Sequence, residues 1–179
     1  MAIIVCPLSK VEAIAAARRP HRVVSLLDPH SAFPRLEGFQ DRHHKAPVHD
    51  ITSDLDGLKA PCETSVGAVI RFVSEWDRSA PILIHCYAGI SRSTATAFIT
   101  ACLHNPHADE EEIALALRAA SQTATPNALI VEIADAELGR AGRMRRAIAA
   151  IGRGYPSWEE IGEATPFEIP AHFPDRAAA

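Results

Sequence analysis

The sequence has no surplus of basic residues: 18 lysines and arginines stand against 22 aspartates and glutamates, a formal net charge of -4 with histidine neutral. Without an overall cationic field, nonspecific attraction to nucleic acid or acidic lipid is excluded as a main activity, and any anion has to be held locally. Cysteine is scarce too. The four present, Cys6, Cys62, Cys86 and Cys102, include no Cys-x-x-Cys pair, which argues against a zinc ribbon or a disulfide scaffold and suits a reducing cytosol. No apolar run reaches membrane-spanning length, and the opening Ala2-Ile3-Ile4-Val5 is too short for a secretory core and follows no basic residue. The expectation is a cytoplasmic protein with neither a membrane nor a nucleic-acid partner. Internal repeats are absent, as is any linker that would demand a second domain. At 179 residues and 47% hydrophobic content, one conventional core is expected over residues 1–154, with 155–179 read as a proline-punctuated C-terminal tail.

What is present reads as alternating strand and helix. Ile3 to Val5 is a short β-branched run, Val11 to Ala17 is alanine-rich and helical, and Val23-Val24-Ser25-Leu26-Leu27 is a buried strand ended by Asp28-Pro29. The stretch from His30 to Lys45 predicts an irregular connection, followed by a short strand at about Ala46 to His49 and a polar loop from Asp50. Val66, Val69, Ile70, Val73 and Trp76 recur at helical spacing, and Ile82-Leu83-Ile84 has the continuous apolar character of a central parallel strand. Thereafter the pattern is helical: Thr94 to Leu103, then Asp109 to Ala120 with Asp109 and Glu112 at capping-box spacing. Ala128 to Leu138 follows, with Pro126 at a first helical position, and Met144 to Ile151 runs up to Gly152. Such an order predicts an α/β single domain, with a mainly parallel central sheet of about four to five strands flanked by helices.

The chemistry concentrates in His85-Cys86-Tyr87-Ala88-Gly89-Ile90-Ser91-Arg92-Ser93. A cysteine at the end of a strand, a tight loop and an arginine where a helix starts make an anion cradle. Backbone N–H groups converge on the helix N-terminus, and Gly89 permits a backbone conformation that a side chain would obstruct. Arg92 adds a planar fork matched to two phosphate oxygens. The same field favours the thiolate of Cys86, and the hydroxyl of Ser93 is placed to donate to that sulfur when it must leave. Cys86, Arg92 and Ser93 are thus the candidate catalytic residues, and Tyr87, Ala88, Gly89, Ile90, Ser91 and Arg92 the candidate substrate-binding residues. His85 is read as a brace for the loop.

This segment resembles the Cys-x5-Arg loop of the protein tyrosine phosphatase superfamily, and the chain is closest in size to its small dual-specificity branch, in a bacterial-type form. The resemblance runs from about Val23 to Leu138 and includes Pro126-Asn127 before a helix. It implies hydrolysis of phosphomonoesters through a phosphocysteine intermediate on Cys86, with a phosphorylated protein or a small phosphomonoester as substrate and neither metal nor cofactor. It also implies an upstream acid on a loop that protonates the departing oxygen. Asp50, Asp54 and Asp56 qualify by type. Asp50 is preferred because it directly follows the expected strand, Asp54 is its rival, and a Trp-Pro-Asp triplet is absent.

Other readings compete with this one. A phosphate-capturing module without an effective acid would keep Cys86 and Arg92, and a rhodanese-type sulfurtransferase also cradles an anion beside a cysteine. His before Cys and Ser after Arg favour phosphate chemistry over the latter. The loop's variable positions carry no lysine or additional arginine, against a phosphoinositide and in favour of phosphotyrosine, with phosphoserine or phosphothreonine beside it. His43, His44 and His49 with Asp41 and Asp50 are read as surface or loop residues rather than metal ligands. Arg140, Arg143, Arg145 and Arg146 are read as a solvated helix face.

Overall fold

A computed structural model describes residues 1–176. Five strands form one sheet in the order β3-β2-β4-β1-β5, with β1 at Ala2–Pro7, β2 at Arg22–Leu27, β3 at His43–Pro47, β4 at Ile82–Cys86 and β5 at Phe167–Pro170. The first four run parallel and β5 is antiparallel to β1. Among the described residues seven α-helices accompany them: α1 Val11–Arg18, α2 Glu63–Ser74, α3 Arg92–His104, α4 Glu110–Ala120, α5 Ala128–Glu137, α6 Arg143–Ile151 and the single turn α7 Trp158–Ile161.

The unbroken apolar character of β4 follows from its position, since both faces of the central strand are covered. Ile82, Ile84 and Cys86 join Ile3, Val5, Val24 and Leu26 in the core beneath α2, α3 and α5, whereas Leu83 joins Ile4, Cys6 and Val23 in the core beneath α1. Registers of Leu26 and Pro7 against Cys86 bring the carboxyl ends of three parallel strands together. That edge is where open α/β sheets bind ligands.

Several expected boundaries move. Strand β3 starts at His43 and stops at Pro47 rather than running from Ala46 to His49, because pairing with Val23 to Leu27 fixes its extent and a histidine-rich segment lacks the apolar signature of a strand. Helix α5 begins after Asn127, whose Oδ1 accepts from the Ile130 amide at 3.1 Å, so Pro126 lies before the cap and not within the first turn. At α4, Asp109 caps by accepting from the Glu111 amide at 2.9 Å, and Glu112 returns no bond.

The largest correction concerns the expected tail. Residues 155–176 carry α7 and β5, and Ile169, Ala171 and Phe173 are buried in the main core. The four-residue strand Phe167-Glu168-Ile169-Pro170 escapes notice in the sequence because proline and polar residues interrupt it. As an edge strand it needs to bury only one face and can end in proline. The cluster at Arg140, Arg143, Arg145 and Arg146 is not a uniformly solvated face either. Arg140 is buried and donates to Glu110 and to the carbonyls of Cys102 and Pro106, and Arg143 pairs with the same buried Glu110. Burying these charges is tolerable because each is paired and hydrogen-bonded.

Candidate active site

Cys86 is the last residue of β4 and Arg92 the first of α3, so the loop 87–91 bridges a strand end and a helix start at the carboxyl edge of the sheet. Four of its five carbonyls accept from donors outside the loop. Tyr87 O accepts from the Leu8 amide, Ala88 O from Ala164, Ile90 O from Thr125, and Ser91 O from Ala95 and Asn127. Among the described residues the amides of Tyr87 to Ser91 donate to no protein acceptor in any turn, loop or side-chain bond. Carbonyls so engaged, with unpaired N–H groups beside them, are the electrostatic arrangement of an anion nest. Residues beyond 154 contribute to it, since Ala164 packs against Ala88 and Ile90 besides donating to the loop.

Gly89 has φ of +74°, and a Cβ there would stand 2.9 Å from the Pro7 nitrogen and 3.0 Å from the Cys6 carbonyl carbon. Both the left-handed backbone and the close approach to β1 therefore require glycine. Ser91 is the residue before α3, yet its hydroxyl makes no bond to the helix's own amides. It donates instead to Asp50 Oδ1 at 2.7 Å, which leaves the positive end of α3 facing the loop interior.

Within the loop, Cys86 Sγ lies 3.1 Å from Ser93 Oγ, and both residues are buried. Arg92 is 4% exposed; its Nη1 donates to Asp28 Oδ1 and to the carbonyl of Val48, each at 2.7 Å. Its Nε is buried without a hydrogen-bond partner, with Asp50 Oδ2 3.7 Å away. Asp50 also accepts from Asn127 Nδ2 at 2.8 Å, so it is tied both to the loop 87–91 through Ser91 and to the start of α5 through Asn127. Asp54 and Asp56 are exposed and make no described bond or ion pair to the catalytic loop. Asp28 and Asn127 escaped the sequence reading as site residues. For Asp28 the available signal was its place just past a buried strand, and for Asn127 its place before a helix beside Pro126.

The histidines correct a further expectation. His43 and His44 lie on β3 and are partly buried, His44 stacked on Phe72 with ring centroids 5.3 Å apart. Ser25 Oγ bridges His85 Nε2 at 2.5 Å and His43 Nε2 at 2.6 Å. A hydroxyl has one proton, so it donates to one ring and accepts from the other, and the two neutral rings carry opposite tautomers at this contact. Burial, the dominant cause, pushes both His43 and His85 down to about 4 from the ordinary 6.5. With folded values below the unfolded one, the unfolded chain binds more protons in acid. Their stabilisation is therefore fully present above pH 6.5 and is lost as pH falls toward 4. Urea unfolding at pH 7.5 and pH 5 should show a loss on the order of 2 kcal/mol from His85 alone. A His43→Gln chain should show a shallower dependence, and an unchanged slope would remove the relay from the account.

Cys6 is pushed up to about 12, first by burial and then by Cys86, and burial also raises Cys102. Cys6 and Cys86 belong to cores on opposite faces of the sheet, which removes Cys6 as a direct disulfide partner. Cys62 lies exposed at the start of α2.

Residues 56–123, which contain the loop, match the family described as Protein-tyrosine phosphatase. Comparison with curated protein sequences gives no match. Among solved structures, DUSP15 is 18% identical with a TM-score of 0.55, over 82% of this chain and 89% of that one. Human DUSP28 is 15% identical with a TM-score of 0.56, over 74% of this chain and 83% of that one. Cydia pomonella PTP-2 phosphatase is 18% identical with a TM-score of 0.54, over 74% and 83%. At these identities the likeness to the solved structures establishes the fold, and the family match falls on the segment that carries Cys86 and Arg92. Over residues 56–123 the chain is thus similar to the protein-tyrosine phosphatase family, and it shares its fold with the small dual-specificity phosphatases among the solved structures.

Proposed function

We propose that the chain hydrolyses phosphomonoesters through a phosphocysteine intermediate on Cys86. The observation that carries this is the loop 87–91, where the carbonyls of Tyr87, Ala88, Ile90 and Ser91 are engaged by donors outside the loop while its amides remain unpaired around a buried cysteine and a buried arginine. The Cys86 thiolate attacks phosphorus, the S–P bond forms as the bond to the leaving oxygen breaks, and Asp50 delivers a proton to that oxygen. Water then attacks the phosphocysteine and gives its proton to Asp50, while the bond to Ser93 stabilises the departing sulfur. The loop amides and the open edge of Arg92 hold the non-bridging oxygens, where charge is spread in the transition state. Charge stabilisation by these groups makes a metal or cofactor unnecessary.

Substrate size is set by the surroundings. Tyr87 is 60% exposed at the start of the loop, and Leu55 and Leu58 are exposed in the segment following Asp50. An apolar rim of this kind suits an aryl phosphate on a peptide, so phosphotyrosine is the leading substrate, with phosphoserine and phosphothreonine beside it. No helix of the described residues is long and apolar enough to cross a membrane.

The deciding experiment exploits leaving-group dependence. Proton delivery matters most for a poor leaving group, so Asp50→Asn should lower kcat on a phosphotyrosine peptide by about a hundredfold or more and that on p-nitrophenyl phosphate by less than about tenfold. It should also flatten the basic limb of the kcat/KM profile. The same pattern in Asp54→Asn, and not in Asp50→Asn, would move the acid. An indifferent response in all three aspartates, with tight phosphopeptide binding, would make the chain a phosphate-capturing module.

A further inference from the structure

The segment from Gly154 to Ala164, expected from the sequence to be a tail, is tied at both ends to the surroundings of the catalytic loop. At its start the Gly154 amide donates to Thr125 Oγ1 at 3.0 Å and the Tyr155 amide to the Gln122 carbonyl at 2.9 Å, and the Thr125 amide in turn donates to Ile90 O. A Cβ at Gly154 would stand 2.3 Å from the Thr123 carbonyl carbon, so this close approach requires glycine. At its end Glu163 Oε2 accepts from Ser9 Oγ at 2.7 Å, and the Ala164 amide donates to Ala88 O at 2.8 Å. Sheet topology gives this strap a definite place. Strand β5 is antiparallel to β1 and starts with Phe167 opposite Val5, so the residues just before it lie at the carboxyl edge of the sheet, where β4 ends in Cys86. In the order β3-β2-β4-β1-β5 the catalytic loop is flanked by the Asp50 segment on the β3 side and by the strap on the β5 side.

Of the eight exposed large hydrophobic side chains among the described residues, six lie on the three segments at this edge: Leu55 and Leu58, Tyr87, and Tyr155, Trp158 and Ile161. Exposed apolar side chains concentrated in this way mark an interaction surface. From Tyr155 to Ala164 the strap also carries three glutamates, Glu159, Glu160 and Glu163, and no lysine or arginine. None of the three takes part in a described ion pair. An apolar and acidic surface next to a phosphate site is complementary to a peptide with basic flanks. The reach suits such a ligand. Ile161 is three residues from Ala164 and hence within about 11 Å of it, and three residues of an extended peptide cover about 10 Å.

We propose that the strap 155–164 is the peptide-recognition surface of this site, taking the flank of a phosphotyrosine segment that carries lysine or arginine. Trp158 is its apolar and cation–π anchor, and Glu159 and Glu163 supply the counter-charge. The inference rests on the phosphatase reading and adds the flanking chemistry of the substrate.

Fluorescence tests this directly, because Trp76 is 2% exposed and Trp158 49%, so acrylamide quenching reports chiefly on Trp158. In the Cys86→Ser chain a lysine-flanked phosphotyrosine peptide should lower the quenching constant by about twofold or more, and inorganic phosphate should leave it unchanged. In the natural chain kcat/KM for that peptide should exceed that for a glutamate-flanked one by about tenfold at low salt, and the ratio should fall toward one at about 0.5 M salt. Glu159→Lys should cut the ratio by about threefold or more. Trp158→Ala should raise KM for the lysine-flanked peptide about five- to tenfold with kcat within about twofold, each rate being normalised to p-nitrophenyl phosphate in the same chain. Unprotected Trp158 with peptide bound, equal use of the two peptides, or a ratio that moves with Asp56→Lys and not with Glu159→Lys overturns the proposal. Dimerisation in sedimentation that shields Trp158 without peptide also overturns it, in favour of a contact between copies. Should Trp158→Ala lose cooperative thermal unfolding, the quenching and Glu159→Lys decide. If the natural chain turns nothing over, the phosphatase reading fails separately. Calorimetric affinities for the two peptides then decide on the strap: a preference for lysine flanks that Glu159→Lys removes sustains it, and equal affinities or no binding sink it.

Discussion

Cys86→Ser should abolish turnover of p-nitrophenyl phosphate, a fall of at least about ten-thousandfold, while leaving the fold and much of the phosphate affinity intact. The physical grounds are that the nucleophile and the cradle are separable. The unpaired amides of residues 87–91, the N-terminus of α3 and the open edge of Arg92 all persist when sulfur becomes oxygen. What is lost is the sulfur nucleophile, because a serine hydroxyl is a far weaker nucleophile than a cysteine sulfur and its one described side-chain partner would be the hydroxyl of Ser93, which cannot act as its base. Serine is also slightly smaller than cysteine, so the core beneath α3 is not overfilled. Phosphate binding by calorimetry and turnover by release of nitrophenolate should therefore separate cleanly. Residual activity close to that of the natural chain would sink the assignment of the nucleophile, and loss of binding together with activity would show that the sulfur shapes the loop.

The second large effect is expected from Arg92→Lys, which should lower kcat/KM by about a hundredfold to a thousandfold, although the charge is conserved. Arg92 donates from Nη1 to both Asp28 and Val48, while its Nε lies 3.7 Å from Asp50 Oδ2 without a hydrogen-bond partner. An ammonium has one nitrogen and cannot meet Asp28, the Val48 carbonyl and two phosphoryl oxygens together. It would settle on Asp28 and Val48, which are fixed, and abandon the substrate. A stability loss of about 1–3 kcal/mol accompanies this, since the carbonyl of Val48 or the carboxylate of Asp28 is left with a poorer partner. Steady-state kinetics with a parallel urea titration would measure both. Near-normal kinetics in Arg92→Lys would remove the bidentate contact from the mechanism.

Much of this site is legible in the linear sequence because its parts are contiguous. Cys86, Gly89, Arg92 and Ser93 lie within one strand–loop–helix connection, and the apolar run of β4, the positive φ demanded of Gly89 and the helical spacing after Arg92 are local properties. Local chemistry therefore determined the candidate nucleophile, the candidate anion cradle and the alternation of strands and helices. The choice among Asp50, Asp54 and Asp56 was not local. Only the folded chain brings Asp50 to Ser91 and Asn127, residues 41 and 77 positions away, while leaving the other two exposed. The partnership of Arg92 with Asp28, the relay from His85 through Ser25 to His43, and the packing of Ala164 beneath the loop are likewise contacts across the sheet edge. Each joins polar or small residues whose identity gives no period and no apolar signal, and strand β5 is hidden for the same reason. Local sequence determines the electrostatics of one loop, because dipoles and dihedrals are set by neighbours in the chain. Tertiary structure alone decides which distant carboxylate meets which donor, because that depends on strand order and register.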